Sequence, residues 1–407
     1  MRIIADLHIH SKYSRATSRN MEIPTISKYA KMKGIGIVAT GDFTHPLWME
    51  HLKENLEYKG KGVYEHNGVY FILSTEVSCI YSQKGKTYRI HHIIYTPTME
   101  EAEEISRFLS HYGNLMADGR PIISLDSKTL VKKIKSISKD SFLVPAHIWT
   151  PWFSLFGSNS GFDSIDECFD DAVEYVFALE TGLSSDPPMN WKWSKLDRFI
   201  LVSNSDAHSP DNLGREANIF ELDEISFFKI RDILKNKDKK GFLGTIEFFP
   251  EEGKYHYDGH RECGVSLHPL DTKKNKNKCP RCGKPLTIGV LNRVYSLSDR
   301  DENSIPEYFP FRYVIPLREI IAEIVKADKG TKKVKNEYEK IVSSLKNEFY
   351  VLLDADENEL YSVDERIGEA IIKMRKGEVE KIPGYDGVFG KIKVKLEDKE
   401  ETQPTLF

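Results

Sequence analysis

The chain has 407 residues, of which 40% are hydrophobic and 29% charged, and its formal net charge at pH 7 is −4. These values are ordinary for a soluble globular protein with one large domain and one or two smaller ones. No apolar run reaches the length of a membrane span and no signal peptide precedes the first strand pattern, so we expect a cytoplasmic protein with no membrane partner. The odd number of cysteines, five, argues against a disulfide framework.

Up to about residue 245, short β-branched runs alternate with amphipathic stretches. Helices are predicted at 23–32 and 98–112, and Thr98 with Glu101 forms a capping box at the start of the second. Strands that alternate with helices predict a parallel sheet with right-handed crossovers, open or closed into a barrel. Seven strands are predicted, at residues 3–10, 36–42, 70–78, 90–95, 142–148, 176–180 and 199–208.

Each predicted strand carries potential metal ligands toward its C-terminal side. In a (β/α) barrel these ends converge on one face, where such enzymes keep their active sites, whereas an open sheet would spread them too widely. His8-x-His10 and Asp206-x-His208 each place two ligands on one side of a strand, and these nitrogen and oxygen donors suit zinc, manganese or iron. The full set is Asp6, His8, His10, Asp42, Glu76, His92, His147, Glu180, Asp206 and His208.

His91 and His92 are neighbours in the fourth predicted strand. Successive side chains of a strand point to opposite faces, so at most one of the two can reach the ligand cluster. We favour His92 as the ligand, and His91 stays the alternative.

The segment after residue 245 is rich in Gly, Lys, Cys and His. His260-x-x-Cys263 and Cys279-x-x-Cys282 have the spacing of a zinc-ribbon-like module, here 246–290, with one His in place of a Cys. His268 is an alternative fourth ligand. The pattern predicts one structural zinc held by His260, Cys263, Cys279 and Cys282.

The remaining chain predicts a small mixed α/β domain at 291–395, with a helical stretch at 317–345, a strand at 348–353 and a helix at 364–376. The net charge does not indicate a nucleic-acid binder, so any DNA-binding surface would be local, in the lysine-dense stretches 273–278 or 326–346. Residues 396–407 predict a flexible tail. Its residues Gln403, Leu406 and Phe407 resemble a peptide that binds a sliding clamp.

The segments DLHIHSKYS, TGDF, STEVS, IHHIIY, VPAH and SNSDAH resemble, in this order, the motifs of the polymerase-and-histidinol-phosphatase (PHP) phosphoesterases. This resemblance covers about 245 residues. It implies an α/β fold with a distorted seven-stranded (β/α) barrel at 1–245, whose rim holds two or three divalent ions, Zn, Mn or Mg. Its implied ligands are His8, His10, Glu76, His92, His147, Asp206 and His208, to which we add Asp42.

Within this set, His8, His10, Asp206 and His208 are the predicted catalytic residues. The chain departs from the superfamily pattern at two places. Phe43 stands where a His is usual, and Arg15, Ala16 and Thr17 stand where a further ligand is usual. His45 could compensate for the first departure, so the third metal position stays open.

Three longer segments, HIWTPWFSLFGSNSGFDS, GTIEFFPEEGKYHYDGHREC and CPRCGKPLTIGVLNRV, are similar to the endonuclease Q family over nearly the whole chain. The resemblance implies a DNA repair endonuclease that cuts 5′ to deaminated bases (uracil, hypoxanthine, xanthine) and to abasic sites. Aromatic and small polar residues after His147 suit a pocket for an extruded base. The predicted pocket residues are Trp149, Trp152, Phe153, Ser158 and Ser160.

Two other functions are compatible with part of the pattern. A PHP phosphatase acting on a small phosphorylated metabolite would need the barrel, but neither the zinc module nor the C-terminal domain. A non-catalytic, metal-stabilised adaptor on DNA would have no reason to keep a nearly complete set of charged ligands. The endonuclease is therefore the leading hypothesis.

Overall fold

The computed structural model describes residues 1–396, except for the side chain at position 302. The predicted clamp peptide, Gln403, Leu406 and Phe407, lies outside the described residues. The strands are β1 (Arg2–Asp6), β2 (Ile37–Ala39), β3 (Glu57–Tyr58), β4 (Tyr64–His66), β5 (Val69–Gln83), β6 (Lys86–Thr96), β7 (Ile122–Ile123), β8 (Phe142–Pro145), β9 (Ala178–Glu180), β10 (Ile200–Val202), β11 (Ala217–Glu221), β12 (Phe242–Glu247), β13 (Asp258–His260), β14 (Val265–Leu267), β15 (Phe311–Tyr313), β16 (Val379–Ile382) and β17 (Lys391–Val394).

The helices lie between and after these strands, and a short π-helix spans Tyr350–Asp354. The α-helices are α1 (Ile23–Lys33), α2 (Pro46–Asn55), α3 (Met99–Leu109), α4 (Ser127–Ile137), α5 (Ile165–Phe169), α6 (Pro187–Trp191), α7 (Phe227–Asn236), α8 (Pro269–Lys274), α9 (Val290–Leu297), α10 (Leu317–Ile324), α11 (Lys332–Ser344), α12 (Glu357–Val363) and α13 (Glu365–Arg375). Within residues 1–396, none of the helices has the length and apolar character that crossing a bilayer requires.

The fold is α/β with mixed sheets. All seven predicted strands form, but they are not all parallel. β1, β2 and β5 run parallel to one another, whereas β5 pairs antiparallel with β6, and β6 antiparallel with β8. The expected crossover between β5 and β6 is instead a tight hairpin, and this difference decides which histidine of β6 reaches the site.

The last two predicted strands, β9 and β10, form a separate parallel pair. Single hydrogen bonds join this pair to the large sheet: Ile148 N–H donates to Glu180 O at 3.1 Å and His10 N–H to Ala207 O at 3.0 Å. Ladder pairing among the described strands therefore does not close a ring of seven. These two bonds nevertheless bring the segments that follow β1, β8 and β10 together beside the end of β9, and we call this region the rim.

The predicted helices at 23–32 and 98–112 are confirmed as α1 and α3. At the start of α3, Glu101 N–H donates to Thr98 Oγ1 at 3.2 Å, as the capping box predicts. α1 ends at Gly34, which has φ +86° and has the side chain of Asn347 packed against it. A residue with a Cβ would be strained there and would collide with Asn347.

One continuous hydrophobic core runs from β1 to β17, so the C-terminal segment packs on the same core as the strands that form the rim. A buried ion pair reinforces the contact, since Lys33 Nζ of α1 lies 3.0 Å from Glu348 Oε2, which also accepts from Tyr338 Oη at 2.8 Å. The predicted zinc module has its own small buried cluster of Val265, Cys279 and Leu286.

Two predictions for the C-terminal segment are wrong. Residues 350–354 form the π-helix rather than a strand; their apolar run has no periodicity that distinguishes a buried strand from a buried helix. The helical stretch at 317–345 is broken between α10 and α11, where Thr331 caps the second helix by accepting from Val334 N–H. The helix predicted at 364–376 is confirmed as α13.

Candidate active site

Three predicted ligands lie where the chain turns sharply after a strand. Asp42, His147 and Asp206 have φ values of +50°, +31° and +47°, in the left-handed region that side chains other than glycine rarely occupy. Such strain persists only where the surrounding structure holds it, and it concentrates at functional sites. The turns after β8 and β10 bring His147 and Asp206 into the ligand groups, and the turn after β2 brings Asp42 against His10.

Glu76 of β5 is the centre of the site. Its Oε2 lies 3.1 Å from His10 Nε2 and 3.6 Å from His8 Nε2, and Asp206 Oδ1 lies 3.1 Å from His10 Nε2. These four residues offer ligand atoms within 4.8 Å of one another. They form a two-histidine, two-carboxylate group of the kind that holds a divalent ion.

The other oxygen of Glu76 belongs to a second group. Its Oε1 lies 2.8 Å from His91 Nδ1 and 3.1 Å from His147 Nε2. The ligand atoms of these three residues also lie within 4.8 Å of one another. One carboxylate is therefore shared by two candidate metal sites. We call the six residues of the two groups, His8, His10, Glu76, His91, His147 and Asp206, the rim cluster.

Two carboxylates hold the far sides of the rim histidines. Glu180 Oε1 lies 3.0 Å from His8 Nδ1, and Asp42 Oδ1 lies 3.0 Å from His10 Nδ1. Each contact leaves Nε2 directed at Glu76 and Asp206. A carboxylate on the outer nitrogen of a metal-binding histidine fixes its tautomer and ring orientation.

The atoms that face the centre of the rim cluster suit a cation. His8 Nε2, His10 Nε2 and Asp206 Oδ1 are buried and lie close to one another, but none of them makes a hydrogen bond of good geometry with a described residue. Buried polar atoms rarely stay without partners, because the loss of hydration is costly. These residues therefore fit the divalent ions that the sequence pattern implies.

The carboxylates of the rim cluster are ionised. Burial alone would raise the pKa of Glu76, but His91, Arg120 and His8 hold it well below its usual range. Burial likewise opposes ionisation of Asp206, whereas His10 and His8 keep its pKa well below the usual value. Low pKa values favour the ionised form of both Glu76 and Asp206, so two negative charges lie between the histidine nitrogens.

The structure corrects the choice between the two neighbouring histidines. In the antiparallel β5–β6 ladder, His91 stands opposite Ser78, on the face that Glu76 shares, and His92 stands opposite Val77 on the other face. His92 Nε2 accordingly contacts Ser127 Oγ at 2.8 Å, away from the rim cluster. The register of this ladder therefore places His91, and not the predicted His92, on the face of Glu76.

Two further predicted ligands lie beside the cluster rather than in it. Asp42 accepts from Ser11 N–H at 2.7 Å and from Ser14 Oγ at 2.8 Å, in addition to its contact with His10, so it serves as a support. The ring of His208 packs on His10 with centroids 4.5 Å apart, and its Nδ1 lies 2.8 Å from the carbonyl oxygen of Asp206. His45, the possible compensating ligand, stacks on Tyr13 instead.

Sequence reasoning missed one cation of the site. Arg120 Nη1 donates to Glu76 Oε2 at 3.0 Å, from a loop that no motif marked. The loop passes close to the rim: a Cβ at Gly119 would lie 2.3 Å from Asp42 Oδ2. Glycine is therefore needed there, and it lets Arg120 reach the shared carboxylate.

A cavity of about 1100 Å³ adjoins the rim cluster. One of its lining residues, Thr150, has Oγ1 3.3 Å from His147 Nδ1, and another, Ser209, directly follows His208. Trp152, Tyr255 and the cations Arg215 and Arg318 also line it. The cavity therefore connects the metal ligands with aromatic and cationic side chains.

The structure separates the residues of the predicted base pocket. Trp152 lines the cavity, whereas Trp149 is fully buried, donates to Asn190 Oδ1 at 2.7 Å and packs on Phe156. Ser160 is buried and accepts from the N–H of Phe153 at 3.1 Å, while the Phe153 ring packs on His91. Ser158 is exposed. Trp149 and Ser160 therefore support the loop and have no face free for a base.

Relatives of known structure share the whole architecture. The lesion-specific endonuclease PfuEndoQ from Pyrococcus furiosus is 32% identical, with a TM-score of 0.87 over 97% of this chain and 96% of its own. The chain belongs to the endonuclease Q family. A structure of endonuclease Q with a 27-mer duplex carrying an abasic lesion at the active site is 31% identical, with a TM-score of 0.86 over 98% of this chain and all of that one.

Two curated relatives of the endonuclease Q chain are uncharacterized proteins. YqxK of Bacillus subtilis is 29% identical over 411 residues, which covers 96% of this chain and 99% of YqxK. MJ0043 of Methanocaldococcus jannaschii is 36% identical over 255 residues, which covers 61% of this chain but only 31% of MJ0043. The family model described as the MJ0043 C-terminal domain matches residues 316–378.

The predicted zinc module brings its four predicted ligands together. The ligand atoms of His260, Cys263, Cys279 and Cys282 all lie within 4.8 Å of one another. His268 lies outside this group, because it caps α8 by accepting from Leu270 N–H. Of the two histidines left open by the spacing, His260 is thus the one beside the cysteines.

Proposed function

We propose that the protein is a DNA repair endonuclease that hydrolyses the phosphodiester 5′ to deaminated bases and abasic sites. Membership of the endonuclease Q family supports the class of enzyme, a metal-dependent hydrolase. Support for a damaged duplex as substrate comes from the relative whose structure holds DNA with an abasic lesion. Uracil, hypoxanthine and xanthine are the deaminated bases we include.

The observation that carries the proposal is the division of Glu76 between two ligand groups. His8, His10 and Asp206 would hold one divalent ion and His91 with His147 a second, with Glu76 shared. Zinc, manganese and magnesium are the candidates, and His208 beside His10 is a further candidate ligand. Divalent ions held there would lower the pKa of water and stabilise negative charge on the phosphodiester.

The chain's own residues prepare this chemistry. Glu180 and Asp42 hold the two rim histidines in a single orientation, so no reorganisation is needed when phosphate arrives. Arg120 fixes Glu76 and brings a positive charge beside it. No protein nucleophile is required by this arrangement.

We assign the large cavity to the extruded nucleotide. Its volume of about 1100 Å³ exceeds the usual size of a small-metabolite pocket, and its aromatic lining by Trp152 and Tyr255 suits a base. Arg215 would place a positive charge near the phosphate, whereas Arg318 in the same lining is already paired with Asp211. A phosphatase for a small metabolite would need neither this volume nor the zinc module, so it is the second candidate.

The domain assignments follow the same proposal. The catalytic part is 1–245, the zinc module 246–290 and the accessory domain 291–395. Four protein ligands leave no open position for water, so the zinc of the module would be structural. The module's buried cluster of Val265, Cys279 and Leu286 is too small to hold it folded without metal.

The test uses the full chain with manganese or magnesium and duplex oligonucleotides that carry one uracil, hypoxanthine or abasic site. We expect one cut 5′ to the lesion, which leaves a 3′-hydroxyl and a 5′-phosphate. Uracil opposite guanine should be cut at least as fast as uracil opposite adenine, because a mispaired base is easier to extrude.

Undamaged duplex and the Asp206→Asn variant are the controls. Equal cleavage of undamaged duplex would show that the protein is a non-specific nuclease and would overturn the proposal. Release of phosphate from small phosphomonoesters, without any cut at a lesion, would favour the phosphatase.

A further inference from the structure

An exposed phenylalanine stands at the tip of a hairpin beside the cavity. Phe389 lies between β16 and β17 and is 71% exposed, the largest exposed fraction among the large hydrophobic side chains of the described residues. It also lines the cavity that adjoins the rim cluster. Single exposed apolar side chains are common on proteins, so it is the place of Phe389 in the lining of this cavity that distinguishes it.

The tip is rigid. Asp386 and Gly387 have φ values of +44° and +85° at the centre of a tight turn, in which Tyr385 and Val388 exchange backbone hydrogen bonds of 3.0 and 2.8 Å. Positive φ at both central residues is typical of a two-residue hairpin turn with an Asp-Gly sequence. The side chain that follows therefore has a fixed direction.

The turn is also bound to the predicted zinc module, 246–290. Asp386 accepts from Arg261 N–H and from Thr287 Oγ1, both at 2.6 Å, and Gly387 N–H donates to Lys254 O at 2.9 Å. These bonds fix the turn in place. The exposure of Phe389 is therefore a property of an anchored tip and not of a loose loop.

Glycine follows Phe389 because the backbone there touches its neighbour. A Cβ at Gly390 would lie 2.0 Å from Glu251 O and 2.5 Å from Ile382 O. Gly390 N–H also donates to Glu252 O at 3.0 Å. The chain is thus held on both sides of Phe389 while its ring is left outside.

One cation lies near the exposed ring and a second lies beside the turn that precedes it. Lys254 Nζ lies 5.8 Å from the centre of the Phe389 ring, and Arg261 Nη1 lies against Gly387 on the turn. An aromatic side chain flanked by cations complements a nucleic acid, whose bases stack and whose phosphates are negative. The surface at the tip therefore fits DNA better than it fits an apolar protein partner.

We propose that Phe389 inserts into the base stack of the duplex at the position that the extruded nucleotide leaves. This inference rests on the proposed function. Extrusion leaves a gap whose flanking bases have lost their stacking partner, and apolar side chains are known to fill such steps. Phe389 is placed for this role because the cavity that would take the nucleotide begins beside it.

The test compares two substrates that differ only in stacking at the lesion. One is a duplex with a single uracil opposite guanine, and the other carries the same uracil within a run of mismatches, where no ordered stack surrounds it. Stacking by an aromatic side chain is worth enough that Phe389→Ala should lower kcat/KM on the paired duplex about 10-fold or more. On the mismatched substrate its kcat/KM should stay within about 2-fold of the unsubstituted protein.

Two variants serve as controls. Phe389→Tyr keeps an aromatic ring and should retain cleavage of the paired duplex. Tyr361→Ala removes an exposed aromatic side chain of α12, which is not part of the cavity lining, and should change neither substrate. Melting temperatures should be equal throughout, because all of these side chains are exposed.

Equal loss on both substrates, or no loss on the paired duplex, would overturn the wedge role while leaving the proposed function intact. If the unsubstituted protein cuts neither substrate, the proposed function fails and the inference fails with it.

Discussion

The molecule holds two clusters of metal ligands, built in opposite ways. The rim cluster stands on strand ends above a core that runs through almost the whole described chain. The cluster of His260, Cys263, Cys279 and Cys282 stands on short strands and turns around three buried residues. The large core holds the rim cluster in place, whereas the small module needs its metal in order to fold.

The two sets of ligands also differ in the side chains that contact them. His8 and His10 contact Glu180 and Asp42 on their outer nitrogens, and Glu76 contacts Arg120, so the positions of these three ligands are defined before any ion binds. In the zinc module the ligands mainly face one another; His260 Nδ1 lies 3.8 Å from Cys282 Sγ. We infer that loss of metal costs activity at the rim and folding in the module.

The largest effect is expected for Asp206→Asn. The substitution keeps the shape of the side chain but removes a charge that holds the ion at the rim, so kcat on a uracil duplex should fall by about 10³-fold or more. The melting temperature should change little, because the core lies elsewhere. Gel assays and thermal melting measure the two quantities.

Asp170→Asn, at an exposed carboxylate paired with Lys128, is the matched control and should be fully active. A fully active Asp206→Asn variant would exclude the rim from catalysis.

The double substitution Cys279→Ser with Cys282→Ser should have the converse effect. Because zinc binding and folding of so small a module are coupled, we expect loss of one metal equivalent, a lower melting temperature and proteolysis within 246–290. Elemental analysis and limited proteolysis test this. Cys168→Ser, in the main core, should keep every metal equivalent, and an unchanged zinc content in the double variant would contradict the assignment.

Glu180→Gln should have a smaller effect that is confined to the rim. Loss of the charged partner of His8 should weaken metal binding by about 10- to 100-fold, as calorimetric titration of the metal-free protein would measure. Glu174→Gln makes the same chemical change at an exposed position six residues earlier, and this variant should bind metal normally. Unchanged affinity in Glu180→Gln would mean that His8 needs no support.

The smallest effect concerns the pH dependence of stability, which tests the main core rather than the two ligand clusters. Burial raises the pKa of Glu247, at the end of β12, to about 8, and Ser203, Glu216 and Asp186 face it. The folded state therefore keeps a proton that the unfolded chain releases near pH 4.5. The contribution of Glu247 to the free energy of unfolding is therefore fully present below pH 4.5 and is lost as the pH rises toward 8.

Glu247 alone should lower the free energy of unfolding by up to about 1.4 kcal/mol per pH unit between pH 5 and 8, and Glu216, whose pKa burial also raises, adds to this slope. Glu247→Gln should reduce the slope without a change in zinc content. An equally steep slope in the variant would assign the titration to other groups.

Much of the site could be predicted because its chemistry is local in sequence. His8-x-His10 and the order of strand-end ligands needed only the alternation of side chains along a strand. The choice between His91 and His92 could not be made in this way, since it depends on the register in which β5 and β6 pair. Arg120 was missed because a loop residue without a motif carries no sign of what it will contact.

The sequence by itself determined the ligand types, the strands that carry them, the zinc spacing and the resemblance to the family. All of these follow from short-range periodicity and spacing. Only the tertiary structure decided that Glu76 is shared, that Asp42 supports His10, that Trp149 is buried and that Phe389 stands exposed beside the cavity. These facts depend on how distant segments pack, and packing is a property of the whole chain that no local pattern records.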